Sequence, residues 1–296
     1  MNKGTWYAIS AFTIFGFFPI YWKQLGSVPA IQILGHRIVW SFLLLIILIL
    51  ITSKRKVLKA ALKQPVVLAR YAAAAVLLGA NWGIYVWAVS AGFVIETSLA
   101  YFINPLLSVA LGVLFLRERL RPAQWAAIGM AVAGVLYLTF LYGEPPWIAL
   151  ILASTFAVYG LLKKTSPLGS VDGLALETGI LFLPAAGLLL FSDLNGAGAF
   201  LHSGAMANIL MIGAGPVTVL PLLLFSAAAQ RIPLSLVGIL QYITPTMFFF
   251  LGVFVYNEPF SLGRLVGFIF VWIGLILIAA DSVIWSRNNH RHPAGS

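Results

Sequence analysis

Ten long apolar stretches run through this chain, and they restrict its fold more than any other feature. They cover residues 5–22, 31–52, 70–91, 97–116, 123–142, 146–163, 174–191, 206–227, 234–256 and 263–284. A helix needs about 20 residues to cross the hydrocarbon core of a bilayer, and an α-helix satisfies its own backbone hydrogen bonds there. The sequence therefore predicts an all-α membrane protein with ten transmembrane helices.

Composition supports membrane burial of the chain. Hydrophobic residues make up 61% of it and charged residues only 9%, whereas a soluble domain averages about 25% charged residues. The net charge of +10 comes from basic residues in short loops, which is the pattern of a topology signal and not of a nucleic-acid-binding face. No nucleic acid partner is expected. The absence of cysteine removes disulfides, thiolate metal sites and cysteine nucleophiles.

The distribution of Lys and Arg predicts the orientation, because cytoplasmic loops retain these residues. With ten spans and both termini in the cytoplasm, the outer side holds only Lys23 and Arg264, and Arg37 falls within a span. The other fifteen of the 18 basic residues lie on the inner side. An odd number of spans would remove this bias. The sequence thus predicts cytoplasmic N- and C-termini.

An internal repeat divides the chain into two halves. Residues 105–139 align with residues 245–279 without a gap, and this alignment pairs Pro105 with Pro245 and Glu118 with Glu258. At an offset of 141 the first span also matches the sixth. We therefore expect a five-helix repeat at 1–142, a second at 143–286, and a polar cytoplasmic tail at 287–296.

Because each repeat has an odd number of helices, the second must enter the membrane from the opposite side. Inverted-topology repeats are characteristic of secondary transporters, which bind their substrates near the membrane midplane. A channel or a non-transporting scaffold with the same symmetry remains an alternative at this point.

Several motifs, in order along the chain, carry a family resemblance. They are NWGIYVWAVSAG at 81–92, ETSLAYFINPLLSVALG at 96–112, LETGILFLP at 176–184, GPVTVLPLLLFSAAAQRIPLSLVGILQYITPT at 215–246 and YNEPF at 256–260. The chain resembles the RarD-type permeases (the chloramphenicol-sensitive protein family), a branch of the EamA group in the drug/metabolite transporter superfamily. The resemblance implies a multi-pass location in the bacterial cytoplasmic (inner) membrane and the export or exchange of small molecules. It also implies a central cavity, with the fifth and tenth helices at the periphery.

Ionisable side chains inside a membrane are costly and mark candidate functional positions. His36 and Arg37 lie in the outer third of the second span, and Glu177 lies one turn into the seventh span from the cytoplasmic face. His36 and Glu177 align at the 141 offset, so inversion places one polar cluster near each mouth. We expect these three residues to act in gating or proton coupling. Alternatively, Arg37 and Glu177 extend to the membrane interfaces without a role in transport.

Polar and aromatic side chains near the midplane are the candidate substrate contacts. Pro105 and Pro245 each free a backbone carbonyl one turn earlier, which is tolerated only against protein or a wet cavity, so these helix breaks should face the cavity. The alternative is hydrogen bonding between helices without ligand contact. The candidate substrate-binding residues are Asn81, Trp82, Tyr85, Tyr101, Asn104, Tyr159, Gln241, Tyr242 and Thr244.

Catalysis has little support in the sequence. The chain contains four histidines, of which two lie in the tail, and it has no H-E-x-x-H motif and no phosphate-binding loop of the G-x-x-x-x-G-K-[ST] type. We expect no catalytic residues, metal or cofactor. The predicted function is secondary transport of a small amphipathic metabolite or drug-like molecule by alternating access. A lipid-linked carrier flippase and a facilitative channel-like permease are the alternatives.

Two kinds of partner are expected besides the small-molecule substrate. Membrane lipids should surround the helices. Gly263 and Gly267 are four residues apart in the tenth span, and small residues at that spacing allow close helix approach. This pattern fits packing within one chain, and a homodimer through the fifth and tenth helices is a further candidate.

Overall fold

The computed structural model describes residues 2–52, 55–257 and 262–291, and this part of the chain is helical without a strand. The helices are α1 (Lys3–Gly16), α2 (Phe18–Lys23), α3 (Ala30–Ile51), α4 (Arg55–Leu62), α5 (Pro65–Ser90), α6 (Val94–Leu116), α7 (Pro122–Tyr142), α8 (Trp147–Lys164), α9 (Ser170–Leu194), α10 (Ala205–Ala229), α11 (Leu234–Leu240), α12 (Ile243–Phe250) and α13 (Leu262–Arg291). A π-helical turn, Leu251–Val255, continues α12.

Proline and glycine mark several helix boundaries. Pro65 and Pro122 are the first residues of α5 and α7, where a missing backbone N–H is harmless and the fixed φ favours helix. Gly143 ends α7 with a φ of 85°, a left-handed conformation that glycine adopts without steric cost. The short connections that follow make successive long helices antiparallel.

Eight helical segments in the described residues are long and apolar enough to cross a membrane. They are α3, the five helices from α5 to α9, α10, and the combined segment Leu234–Val255. This confirms an all-α membrane protein. The first expected span, 5–22, consists of two shorter helices separated at Phe17, and the described apolar part of the last is Leu265–Leu277. The count of ten spans, the inverted repeat and the position of the termini stay predictions.

The two ends of the bundle are named here after the predicted orientation. The inner end carries Lys3, Lys59, Arg119, Lys164 and Arg231, and the outer end carries Lys23. Glu118 lies at the inner end, whereas its counterpart in the repeat, Glu258, lies outside the described residues.

The main hydrophobic core lies in the inner half of the bundle. Helices α1, α3, α5, α8, α9, α10 and α11 all contribute to it. Its fully buried side chains include Leu45, Tyr159, Leu174, Phe225 and Leu234. Because side chains from seven helices interdigitate there, the interior is sealed on the inner side.

The ninth expected span is broken near its middle. Helix α11 ends at Leu240 and α12 begins at Ile243. Pro245 lacks the N–H that would bond the Gln241 carbonyl, and the Thr244 N–H donates to that carbonyl instead, at 3.0 Å. Just before the break, at Gly238 of α11, an added Cβ would lie 2.8 Å from the Pro105 carbonyl oxygen of α6. The two proline-containing segments therefore cross closely, and glycine is needed at the crossing.

Helix α13 packs along α7 within the same chain. A Cβ on Gly134 would meet the Gly267 carbonyl oxygen at 3.0 Å, and one on Gly267 would meet the Leu138 Cγ at 2.5 Å. The small residues of α13 thus serve intrachain packing. The homodimer through these two helices stays a prediction.

The crossing of α3 and α10 generates a stability prediction. A Cβ on Gly215 would lie 2.6 Å from the Trp40 carbonyl carbon, and backbone cannot move aside as a flexible side chain can. We expect Gly215→Ala to lower the free energy of unfolding by about 1–3 kcal/mol, as overpacking does. Denaturant unfolding in detergent measures the change.

The matched control is Gly129→Ala on α7, where an added Cβ meets nothing within 4 Å. Because alanine has a higher helix propensity than glycine, this variant should have a free energy of unfolding up to about 1 kcal/mol higher than that of the original chain. Equal stability of the two variants would contradict the close α3–α10 contact.

Candidate functional site

Arg37 lies inside the bundle and not at its surface. It is seven residues into α3, about 10 Å along the helix from its outer end. Its Nε donates a hydrogen bond of 3.1 Å to the Thr218 hydroxyl on α10. The side chain is therefore directed towards the second half of the chain, and the expectation that it extends to the interface does not describe this geometry.

Aromatic rings surround the Arg37 guanidinium. Its Cζ lies 4.4 Å from the ring centroid of Trp82, 4.9 Å from that of Trp22 and 5.9 Å from that of Phe18. The electron-rich ring faces attract a cation, most strongly when water is excluded. Helices α2 and α5 thus supply an aromatic cage, defined here as Phe18, Trp22 and Trp82.

Two tyrosines extend this wall towards the second half. Tyr85 is one turn from Trp82 on α5, and its ring contacts the Tyr101 ring edge-on at 6.4 Å. Tyr101 in turn contacts Phe248 of α12 at 5.0 Å. The residues of this wall are partly accessible, and Tyr85 is 36% exposed.

Asn104 adds a polar group with unused hydrogen-bonding capacity. It lies three residues after Tyr101 on α6, on the same helix face. Its Oδ1 is buried without a hydrogen-bond partner among the described residues. We define the outer site as Arg37, the aromatic cage, Tyr85, Tyr101 and Asn104.

His36 does not share a cluster with Arg37. It is buried, its Nδ1 accepts a 3.2 Å hydrogen bond from the Trp40 indole, and its ring lies 5.1 Å from Phe200. Consecutive helix residues point about 100° apart, so the two side chains face different neighbours. Its proposed part in gating or proton coupling stays a prediction.

Glu177 forms a buried ion pair at the inner end. Its Oε1 accepts a 2.7 Å bond from the Lys163 Nζ, and its Oε2 accepts a 3.0 Å bond from the Tyr159 hydroxyl. The Lys163 and Glu177 side chains are 2% and 0% exposed. Tyr71 contacts Ser166 beside this pair. Lys163, the last residue of the sixth expected span, thus belongs to the interior.

The remaining candidate substrate contacts are engaged with other helices in this conformation. Asn81 donates to the Leu152 carbonyl at 2.8 Å and to the Thr155 hydroxyl at 2.9 Å. Tyr242 donates to the Phe102 carbonyl at 3.1 Å, and Thr244 to the Phe12 carbonyl at 2.9 Å. Gln241 donates to the Ser108 hydroxyl at 3.3 Å. These bonds match the alternative of interhelical hydrogen bonding, and the expected ligand contacts of these residues stay predictions.

Sequence reasoning did not select Phe18, Trp22, Lys163 and Thr218. One signal was available in the repeat. At the 141 offset Phe18 and Trp22 align with Tyr159 and Lys163, so the same two positions line each buried charge. Thr218 carried no signal, since its partner lies 181 residues away in the chain.

A bundle of long apolar helices with ionisable groups in its interior has the architecture of a polytopic membrane permease. Comparison with known proteins agrees with that class. Residues 2–140 match the EamA-like transporter family. The chain is 44% identical to the uncharacterized transporter YojE of Bacillus subtilis, covering 98% of each protein. It is 39% identical to protein RarD of Escherichia coli, again over 98% of each.

A solved crystal structure superposes with a TM-score of 0.68, at 19% sequence identity, over 93% of this chain and 96% of that one. This likeness concerns the fold alone. From its sequence relatives, the chain belongs to the EamA-like transporter family and is a RarD-type permease.

The buried pair at the inner end generates a second prediction. Lys163→Met leaves the Glu177 carboxylate buried without its cation, which should lower the free energy of unfolding by about 3–5 kcal/mol. The double variant Lys163→Met/Glu177→Gln removes both charges and should recover most of that loss. Unfolding in detergent, analysed as a double-mutant cycle, gives the coupling between the two positions.

Additive effects of the two substitutions would show that the ion pair does not hold the inner end. Lys59→Met, at an exposed position of α4, serves as the control for loss of a lysine charge and should leave stability within about 0.5 kcal/mol of the original chain.

Proposed function

We propose that this permease is a secondary transporter that moves a small amphipathic molecule by alternating access, as an exporter or exchanger. Its membrane is the bacterial cytoplasmic membrane, and the bacterial origin of its relatives supports this location. Residues 1–142 and 143–286 form the two inverted halves, and the outer site between them binds the transported molecule.

The helix contacts support two halves related by an approximate two-fold axis. Contacts come in pairs that interchange when the halves are exchanged: α1 packs on α10 and α8 packs on α5, while α3 packs on α10 and α9 packs on α5. Three further contacts, α3 with α9, α6 with α11 and α7 with α13, join equivalent helices. An inverted-repeat transporter has this arrangement.

The difference between the two ends is the observation that carries the mechanism. Tyr159, Lys163, Glu177 and Phe225 are fully buried at the inner end, whereas the residues around Arg37 are partly accessible. In the proposed alternating-access cycle, this difference corresponds to a state that packed side chains seal at the inner end and that is open at the outer end. The symmetry supplies the second state, in which the roles of the ends are reversed.

Cysteine labelling tests this cycle without knowledge of the substrate, because the native chain has no cysteine. Ala228 is 0% exposed in the inner core. In inside-out vesicles, Ala228→Cys should react slowly with a membrane-impermeant maleimide, only when the inner end opens. Lys59→Cys, at an exposed position, reports the reagent's full reactivity.

A disulfide across the inner end provides the decisive comparison. A Cβ on Gly4 would lie 2.8 Å from the Arg231 Cβ, close enough for Gly4→Cys/Arg231→Cys to be bridged after a small shift. Oxidation of this pair should abolish labelling at position 228, and reduction should restore it. Labelling that is fast and unaffected by the bridge would indicate a channel-like permease. No labelling under any condition would indicate a static scaffold.

A further inference from the structure

Among the described residues, none provides a counter-charge for the cation of the outer site. Arginine has five N–H donors; Arg37 uses Nε on the Thr218 hydroxyl, and its terminal nitrogens have no acceptor among the described residues. The ring faces stabilise the charge, but they do not accept the hydrogen bonds that the terminal N–H groups donate in the plane of the guanidinium. The guanidinium is thus held in position by Phe18, Trp22 and Trp82 with its fork of donors free.

The carboxylates that the structure describes are placed elsewhere. Glu177 is paired with Lys163, and Asp193 lies 3.8 Å from His202 in the outer loop. Glu96 accepts from Tyr142 and Ile148, and Glu118 accepts from Leu234 and Ser235. Asp172 is buried at the inner end, and Glu144 is exposed. Arg37 therefore has no acidic partner in the described part of the chain.

An unpaired arginine at this depth is costly to maintain unless it serves a ligand. Burying a cation in a low-dielectric interior is strongly unfavourable without a compensating anion, and such residues in membrane spans mark substrate pathways. The planar guanidinium matches a carboxylate, with two parallel hydrogen bonds. One positive charge neutralises one negative charge, so a dianionic phosphate would leave an uncompensated charge in the site.

The walls of the site indicate the rest of the ligand. Trp22 and Trp82 flank the guanidinium, while Tyr85, Tyr101 and Phe248 continue an aromatic surface away from it. Such rings pack against an apolar or aromatic body. The free Asn104 Oδ1 adds one acceptor for a polar N–H or O–H group on that body.

We propose that Arg37 binds the carboxylate of the transported molecule, and that the cargo is a small organic monocarboxylate whose aromatic or apolar part packs against the outer site. The proposal rests on the transport function proposed above and specifies its substrate class. It assigns selectivity for charge to one side chain, Arg37, and selectivity for shape to the rings around it.

Binding of a matched acid and amide tests the proposal. Purified protein in lipid nanodiscs is titrated with radiolabelled indole-3-acetate and with indole-3-acetamide, which differ in charge and little in shape. Phenylacetate and hexanoate, each with its amide, extend the panel. We expect at least one acid to bind about tenfold more tightly than its amide, since a charge-assisted hydrogen bond accounts for that factor or more.

Substitution of Arg37 should reverse this preference. Arg37→Gln keeps a hydrogen-bonding side chain without the charge, so it should lose the acid and bind the amide equally well or better. Arg37→Lys keeps the charge without the planar fork and should retain part of the preference for the acid. Arg119→Gln, at an exposed position of the α6–α7 turn, is the control and should bind as the original chain does.

Three results would overturn the proposal. In the first, no acid of the panel binds saturably. In the second, acids and amides bind with equal affinity. In the third, the Arg37→Gln variant keeps the preference for the acid. Circular dichroism and gel filtration of each variant separate lost binding from misfolding. If the protein binds acids selectively but fails the labelling test above, the carboxylate site is supported and alternating access is not. If it passes the labelling test but does not prefer acids, alternating access is supported and the carboxylate site is not.

Discussion

The arrangement of this permease depends on one constraint: in hydrocarbon, a polar group without a partner costs several kcal/mol. Bonds between helices meet this constraint at several positions in the bundle. Asn81 bonds to α8, Thr244 to α1 and Tyr242 to α6. Each of these bonds fixes the rotation of one helix against another, because the donor must face its acceptor. Apolar packing alone would leave such rotations weakly specified, since lipid is as apolar as a leucine face.

Two acidic side chains at the ends of α6 meet the same constraint and join the two halves. At the inner end, Glu118 accepts from the backbone N–H groups of Leu234 and Ser235 at 2.6 and 2.8 Å. At the outer end, Glu96 accepts from the backbone N–H of Ile148 at 2.9 Å. Both carboxylates therefore lie at the N-terminus of a helix of the second half, where the unpaired N–H groups and the helix dipole favour a negative charge. In the alternating-access cycle proposed above, these bonds to both ends of α6 would serve as a pivot for the two halves.

Hydropathy was sufficient to predict an all-α membrane protein, because burial in lipid is a property of whole segments. The direction in which an individual side chain points was harder to predict. His36 and Arg37 were expected to form one cluster, yet adjacent helix positions diverge and only tertiary packing decides which one faces the interior. Lys163 was counted among the inner-side basic residues because it ends the sixth span, and its buried partner Glu177 lies 14 residues further along the chain. The partner of Asn81 lies 71 residues away, a pairing that one sequence does not reveal.

Arg37 and the Lys163–Glu177 pair are held in different ways, and the difference bears on what each can do. Lys163 and Glu177 satisfy each other, so neither offers a free charge, and separating them requires water or another charge to take the partner's place. Arg37 is stabilised by rings, which lower the cost of its burial yet leave its hydrogen-bonding fork unused. The repeat places aromatic residues, Phe18 and Trp22, where the inner cluster has Tyr159 and Lys163. Because the outer half lacks the lysine, and no described acid replaces its partner, Arg37 keeps a free charge for the ligand proposed above, whereas Lys163 and Glu177 are satisfied within the chain.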